Sequence, residues 1–353
     1  MRKAEKHIRI LLPIWVLIFI LHLHCDAPRN NPLDPKNPNS PFVSLEGQVQ
    51  TLSIPNQAIP NVTIIWENTN QFIASDGSGA FAFEDIKPVD GWLRFFHHDY
   101  WADSFFVAWQ KQKSVSVHML LNSKPKLEEL VMYSIVTHQY PSRQSFQAVT
   151  KVKVSDGDGD IDSVYLECNG LKFKKYLAYN VDSRFYEKNL TIYDLNVRSL
   201  DQTIGADFDI NVRDRFGRLA LLGTGGIKRV IHEEVEFTTP SGYQLVPAAP
   251  TLRWKTFNPG FKVSFGIEVY ADEIPPQVVW QTSGISGDST SFTVDRPLPE
   301  GDYFWVIWCM DEFQNRSRSK PASFTVSSQT AASGVINLSK SSRPRRINFF
   351  WPL

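Results

Sequence analysis

The chain has 353 residues and carries 37 basic and 37 acidic side chains, so its formal net charge is zero. Balanced charge argues against nucleic-acid binding, because proteins that bind nucleic acid normally carry a basic excess. Aromatic residues make up 13% of the chain and 22 prolines accompany them. Rings suit pleated strands and prolines suit turns, so the composition favours a β-rich protein of two or three domains.

Residues 1–24 predict an export signal. A basic start precedes an apolar stretch at residues 10–21, which is shorter than the ~20 residues needed to span a bilayer. Cys25 follows, and it resembles the lipidated cysteine of bacterial lipoproteins. His24 and His22 depart from that family, which keeps a small residue and usually a leucine at these positions. The resemblance implies a lipid on Cys25 and an exported protein anchored to a membrane of the bacterial cell envelope.

A proline-rich spacer occupies residues 25–41. Its prolines recur mostly every three residues, which is the repeat of polyproline II. They are Pro28, Pro32, Pro35, Pro38 and Pro41. At ~3.1 Å per residue, this spacer would hold the folded part about 50 Å from a lipid anchor.

The stretch from Phe42 to Val326 predicts an all-β fold. Short apolar or alternating runs are separated by glycine, proline, asparagine and aspartate, and no long helical pattern occurs. The 285 residues would divide into three modules of about 95 residues, near the size of a small β-sandwich. We therefore expect three tandem β-sandwiches of the immunoglobulin or fibronectin type III kind after the signal and spacer.

The first module is placed at residues 42–122. Its "SDGSGAFAF" stretch predicts a turn followed by a strand with one aromatic face. Together with the "NVTI" strand, this stretch resembles the carboxypeptidase regulatory-like (transthyretin-like) sandwich. The matching positions are Gly47, Asp76, Gly79, Phe81 and Phe83. The resemblance implies a non-catalytic module within a carbohydrate-binding-like group of folds, which does not by itself transfer sugar binding.

The second module, at residues 127–237, contains an acidic turn with Asp156, Asp158, Asp160 and Asp162 at every second position. An EF-hand is excluded, because Ile161 stands where that loop needs glycine and no helices flank it. The phrase "VSDGDGDID" resembles the strand-joining turns of immunoglobulin-like bacterial modules. A solvated turn is the favoured interpretation. A calcium site formed by the four aspartates stays open, because a hard cation would relieve the repulsion between them. No other cofactor is expected.

The third module is placed at residues 238–326. The stretch "LPEGDYFWVIW" and an upstream tryptophan resemble a fibronectin type III module. The matching positions are Trp254, Leu298, Gly301, Tyr303 and Trp305. The resemblance implies that the Tyr303 hydroxyl bonds to upstream backbone while its ring packs in the core.

Three smaller features complete the chain. Cys168 and Cys309 are predicted to be buried small hydrophobic residues rather than a disulfide pair. Residues 327–353 form a tail with a basic and aromatic end, for which disorder is expected and a lipid-interface or partner-docking tip is the alternative. His97, His98 and Asp99 are the only histidine cluster, and strand alternation would point the two imidazoles to opposite faces.

No nucleophile, zinc-protease or phosphate-loop motif occurs, so catalytic residues are predicted to be none. We expect a non-enzymatic, membrane-anchored envelope lipoprotein whose modules bind an unidentified protein or glycan. One alternative is an accessory carbohydrate-binding protein for extracellular polymer breakdown, which an exposed Trp or Tyr row on the first or third module would favour. A second is an envelope enzyme with a site between modules, which convergent carboxylates with perturbed pKa values would favour.

Overall fold

A computed structural model describes Asn37 and residues 40–328. The predicted signal, the lipid site at Cys25, most of the spacer and the tail from residue 329 lie outside the described residues. Over the described part the chain is built of strands, with two short 3-10 turns at Asn169–Leu171 and Leu200–Thr203 and no α-helix. None of its described helical segments has the length and apolar character to cross a bilayer. The predicted all-β, β-sandwich fold class is confirmed.

The chain divides into two compact units. The first comprises the chain up to Lys124 together with Asp156–Gly159, and the second comprises Pro125–Ser155 and the chain from Asp160 onward. Each unit is built of antiparallel sheets with a few parallel pairings. The boundaries proposed above for the three modules stay predictions.

The first unit contains seven strands in two sheets of order β4-β1-β7 and β3-β2-β5-β6. They are β1 (Val43–Thr51), β2 (Thr63–Trp66), β3 (Gln71–Ala74), β4 (Ala80–Ile86), β5 (Gly91–His97), β6 (Tyr100–Val107) and β7 (Ser114–Leu121). Buried and exposed residues alternate along β4 and β5, as strands covered on one face require. The inward side chains form one core that includes Trp66, Phe95 and Trp109.

Two positions of the first unit explain why its turn and one strand need particular residues. The Asp76 carboxylate accepts hydrogen bonds from the backbone N–H groups of Ser78 at 2.8 Å and Ala80 at 2.9 Å, and Gly79 takes a positive φ of 75°. This is the turn that "SDGSG" predicts. At Gly47, a Cβ atom would lie 2.1 Å from the backbone oxygen of Val117, because β1 and β7 pair closely in parallel.

The second unit contains seventeen strands, numbered β8 to β24. Those of its two smaller sheets are β10 (Ile161–Cys168), β11 (Phe173–Tyr176), β14 (Phe208–Asp214), β15 (Leu219–Gly225), β16 (Phe237–Thr239), β18 (Thr251–Trp254) and β21 (Ser291–Thr293). The ten-stranded sheet contains β8 (Lys126–Gln139), β9 (Arg143–Ser155), β12 (Ala178–Asn180), β13 (Phe185–Thr191), β17 (Gln244–Val246), β19 (Val263–Ala271), β20 (Gln277–Ser286), β22 (Gly301–Asp311), β23 (Arg316–Arg318) and β24 (Ala322–Val326).

One parallel pairing makes this large sheet continuous. Its main path runs β12-β13-β9-β8-β23-β22-β19-β20, and Arg316–Arg318 of β23 pair in parallel with Ile135–Thr137 of β8. Two separate hydrophobic cores pack on it, one drawn from residues 136–230 and the other from residues 231–326. The pattern of short strands predicts separate sandwiches, and nothing in it indicates this shared sheet.

A buried polar cluster lies where β8 meets β23. The side-chain oxygen of Asn315 accepts hydrogen bonds from the Ser134 backbone N–H at 2.9 Å and from the Ser134 hydroxyl at 3.2 Å. Its amide donates to Asp311 at 3.1 Å, and the same carboxylate binds Arg229 at 2.6 Å. Buried polar groups need partners of this kind, so the cluster fixes how the two strands meet.

A buried histidine lies beside this cluster. The Nε2 atom of His138 is 3.2 Å from the Ser317 hydroxyl, and its Nδ1 atom is 3.6 Å from the Glu234 carboxylate, which also binds Lys320 at 2.7 Å. Burial lowers the pKa of His138, the Glu234 charge opposes that shift, and the Lys320 charge adds to it. The imidazole is therefore held towards its neutral form.

The predicted tyrosine corner is confirmed. The Tyr303 hydroxyl donates to the Pro299 carbonyl at 3.0 Å, and its ring lies buried in the core with Trp254. Cys168 and Cys309 are both buried and unpaired, as predicted, and they belong to different cores. Burial raises the pKa of the Cys309 thiol to about 12, which disfavours its reactive thiolate form at neutral pH.

Candidate functional site

The outer face of the sheet β3-β2-β5-β6 exposes a group of large aromatic side chains. In β5, Leu93 and Phe95 point into the core of the first unit, so the alternating residues Trp92, Arg94 and Phe96 point outward. Strand pairing brings further rings to the same side. We call this surface the aromatic face, and it consists of Phe72, Trp92, Phe96 and Phe106.

The rings of the aromatic face are ordered by the strand register. Trp92 stands directly opposite Phe106, and their ring centroids lie 5.1 Å apart at an interplanar angle of 66°. Phe72 lies beyond Ile65 on the edge strand β3 and is 74% exposed, while the other three rings are 41–47% exposed. Trp92 and Phe96 are four residues apart on one strand, which separates them by about 13 Å. The rings therefore extend over a surface longer than one monosaccharide.

Polar groups lie between these rings. Arg94 stands between Trp92 and Phe96 along β5, and its guanidinium pairs with the Glu67 carboxylate across the sheet. Ser104 lies opposite Arg94 on β6. Both charged side chains are at least one third exposed, so they remain available to a ligand from solvent. The surface thus combines flat apolar rings with hydrogen-bond donors and acceptors.

This combination suits a ligand that is itself half apolar and half polar. Large contiguous apolar patches on the surface of a folded protein commonly mark interaction sites. The C–H face of a pyranose ring can lie on an aromatic ring while its hydroxyls bond to Arg94, Glu67 or Ser104. Three other tryptophans do not extend such a surface, because Trp109 and Trp280 are buried and Trp101 is half-buried.

The other sheet of the first unit carries a groove of about 840 Å³ on its outer side. Its lining includes Glu46, Gln48 and His118, and its floor includes the small residues Ala80 and Ala82. The lining carboxylates are Glu46 and Asp76. The Ser78 hydroxyl and the backbone N–H groups of Ala80 and Ser78 hold the pKa of Asp76 below its ordinary value, so it stays ionised at neutral pH.

The four aspartates of the acidic turn are divided between the two units. Asp156 and Asp158 belong to the first unit, where the Asp158 carboxylate accepts hydrogen bonds from the backbone N–H groups of Ser53, at 3.0 Å, and of Ser123. The Ser123 hydroxyl donates to Asp156 at 2.7 Å. These contacts give the first two carboxylates a structural role.

No described group of three clustered metal-ligating side chains includes any of the four turn aspartates. Asp160 and Asp162 belong to the second unit, where Asp160 is buried and its carbonyl accepts from the Arg215 backbone N–H. The calcium site at Asp156, Asp158, Asp160 and Asp162 stays a prediction.

No protein-family model and no curated protein matches this chain. Among solved structures, the FN1–FN3 domains of chicken CNTN1 match over 75% of this chain and 90% of theirs, at 8% identity and a TM-score of 0.32. The fibronectin(III)-like modules of Clostridium thermocellum CbhA match over 57% and 93%, at 10% identity and a TM-score of 0.28. The major pilin subunit BcpA of Bacillus cereus matches over 82% and 96%, at 9% identity and a TM-score of 0.25. The sheets and compact units described above make this a β-sandwich protein of more than one unit, and the similarities, with TM-scores below 0.5, assign no function to it.

Proposed function

We propose that this chain is a non-enzymatic lipoprotein of the cell envelope whose first unit binds a glycan on the aromatic face. The observation that carries the proposal is the set of four exposed rings on one side of the sheet β3-β2-β5-β6, with Arg94, Glu67 and Ser104 among them. A protein partner is the alternative occupant of the same surface. The sequence carries no nucleophile, zinc-protease or phosphate-loop motif, which supports a binding role.

A polysaccharide-retention experiment tests the glycan proposal. The full chain, held in nanodiscs, would be passed over a panel of immobilised plant, fungal and bacterial polysaccharides. We expect retention on at least one of them. We also expect the double variant Trp92→Ala/Phe106→Ala to bind at least tenfold more weakly, because each aromatic contact contributes on the order of 1 kcal/mol.

A matched control uses exposed rings elsewhere. Tyr193 and Phe216 are 88% and 64% exposed on the second unit, so Tyr193→Ala/Phe216→Ala should retain full binding. Equal retention of the wild type and the Trp92/Phe106 variant would refute the proposal. Retention of no polysaccharide, with loss of a protein partner in the same variant, would replace the glycan by a protein ligand.

The envelope location rests on Cys25 and is tested separately. Mass analysis of the chain from membrane fractions should find the N-terminal residue to be a lipid-modified Cys25, after removal of residues 1–24. The variant Cys25→Ser should leave the membrane fraction while keeping its affinity for the polysaccharide. An unmodified cysteine, or a Cys25→Ser protein that stays in the membrane, would contradict the anchor without affecting the glycan proposal.

The calcium prediction for the acidic turn is kept as part of this proposal and has its own test. A hard cation bound by the four aspartates should raise the melting temperature of the chain at millimolar calcium. The variant Asp162→Asn should abolish that rise, since this aspartate is the most exposed of the four to solvent and its change disturbs no backbone contact described above. No shift in the wild type would remove the turn as a metal site.

A further inference from the structure

The hairpin turn between β5 and β6 brings three metal-ligating side chains together. β5 ends at His97 and β6 begins at Tyr100, so His98 and Asp99 alone form the connection. The ligand atoms of His97, His98 and Asp99 all lie within 4.8 Å of one another. Strand alternation would have separated the two imidazoles, but it does not apply to His98 because this residue is in the turn and not in the strand.

The three side chains lie close together in the turn. The two imidazole rings are tilted by 31° to each other, with centroids 4.3 Å apart. The Nε2 atom of His98 is 2.7 Å from the Asp99 carboxylate. Ligands of a tetrahedral metal ion with bonds near 2.1 Å lie about 3.4 Å apart, so small side-chain rotations would bring the three donors into range.

The backbone of the turn is held in place by neighbouring groups. The Lys124 backbone N–H donates to the Asp99 carbonyl at 2.8 Å, and the Lys124 ammonium donates to the His98 carbonyl at 3.0 Å. Trp101 donates its backbone N–H to the Asn122 carbonyl at 2.9 Å. Because both carbonyls of the turn are hydrogen-bonded, its backbone loses little conformational entropy when a ligand binds, which favours binding.

We propose that His97, His98 and Asp99 bind one divalent transition-metal ion, Zn²⁺ or Cu²⁺, at this turn. Two imidazole nitrogens and one carboxylate suit these ions, and they do not suit Ca²⁺, which takes six or more oxygen ligands. The site is open to solvent, since the His98 side chain is 80% exposed, so water or a ligand completes the coordination. The Lys124 ammonium, which lies at the His98 carbonyl, opposes binding of a cation and lowers the expected affinity.

Binding of the ion requires the ring protons of His97 and His98 to change nitrogen, and it needs no other reactant. The backbone N–H of Asp99 now donates to His97 Nδ1 at 3.1 Å, which leaves the ring proton of a neutral His97 on Nε2. When the ion binds Nε2, that proton moves to Nδ1 and the hydrogen bond is exchanged for a metal–nitrogen bond. At His98 the ion takes the place of the hydrogen between Nε2 and the Asp99 carboxylate, and the ring proton moves to Nδ1.

Calorimetric titration of the full chain in detergent with Zn²⁺, Cu²⁺ and Ca²⁺ alone tests the site. A chain that keeps residues 1–24 also carries His22, His24 and Cys25, which can bind metal, so the decisive quantity is the difference between variants. We expect His98→Ala to lose one equivalent of Zn²⁺ or Cu²⁺ and Asp99→Asn to weaken that equivalent at least tenfold. The control is His118→Ala, which removes another histidine of the first unit and should lose nothing.

A second measurement locates the ion directly. Zn²⁺ should shift the ring ¹⁵N resonances of His97 and His98 and leave that of His118 unchanged. Because His98 is exposed, its replacement should not change the melting temperature without metal, which separates loss of the site from loss of the fold. Equal stoichiometry in the wild type and His98→Ala, or shifts confined to other histidines, would overturn the proposal. Competition by millimolar Ca²⁺ would overturn the assignment to a transition metal.

Discussion

Replacing Asn315 by alanine should destabilise the second unit where β8 meets β23. The Asn315 side chain is fully buried and accepts from the Ser134 backbone N–H, which is itself buried. In the variant this N–H loses its partner, and a buried donor without an acceptor costs about 1–3 kcal/mol. The Ser134 hydroxyl keeps its bond to the Arg229 carbonyl at 2.8 Å, so it adds little to the loss.

The Asn315→Ala change also removes a hydrogen bond from Asp311, which lowers the free energy of unfolding by a second, smaller amount. The Asp311 carboxylate gives up the amide of Asn315 but keeps Arg229 and the backbone N–H groups of Phe313 and of residue 315, the last two at 2.9 Å each. One lost hydrogen bond among several to a buried carboxylate costs about 1 kcal/mol. The two losses together predict that Asn315→Ala lowers the free energy of unfolding by about 2–4 kcal/mol.

Hydrogen exchange resolved by segment is the suitable assay, because a chain with two units does not have a single unfolding transition. Peptides from β8 and β23 should lose protection together, while peptides from β1 and β5 in the first unit should not change. The control is Asn258→Ala, an exposed asparagine of the second unit, which should change stability by less than about 0.5 kcal/mol. A loss below that value in Asn315→Ala, or a loss confined to β23, would refute the idea that this cluster joins the two strands.

Three further predictions concern single contacts. Gly47→Ala should destabilise the first unit by at least about 2 kcal/mol, because its Cβ would overlap a backbone oxygen. Gly77→Ala should be neutral, because a Cβ there meets nothing within 4 Å. Similar melting temperatures of the two variants would contradict this prediction. Tyr303→Phe should cost the second unit about 0.5–1.5 kcal/mol in urea unfolding through its lost hydrogen bond, and Tyr193→Phe should cost nothing. Burial holds the pKa of His138 in the folded state below its ordinary value of 6.5. The stability that neutral His138 contributes is therefore fully present above pH 6.5 and is lost as the pH falls through the folded-state pKa. His138→Gln should therefore flatten the fall in stability of the second unit between pH 7 and 5, and an unchanged slope would show that other groups cause it.

Local features of the fold follow from the sequence because their causes are local. The "SDGSG" turn needs one carboxylate and one glycine within five residues, and Asp76 and Gly79 take the roles that these residue types predict. The tyrosine corner likewise joins Tyr303 to a carbonyl only four residues away. Burial of Trp254 and of the two cysteines follows from residue type and strand alternation.

The features that escape sequence reasoning depend on contacts between distant segments. Asn315 bonds to Ser134 across 181 residues, and nothing local in the short strand β23 says that it will pair in parallel with β8. The closeness of His97 and His98 escapes sequence reasoning for a different reason. Alternation separates the two imidazoles only if both residues are in a strand, whereas the strand ends at His97. A two-residue turn at His98 and Asp99 would have placed the two rings together.

At the aromatic face, the alternation of side chains along β5 does not predict which side of the strand is buried. In "GWLRFFHH" both sides of the strand carry large apolar residues, Leu93 and Phe95 on one side and Trp92 and Phe96 on the other. Such a strand could be buried on both faces, and only the pairing with Ile64 and the other core residues decides which side faces the core. Rings left on the outer side add little to that core and raise the risk of aggregation. Folding alone is served as well by polar residues there, as at Arg94, so the exposed rings support the binding role proposed for this face.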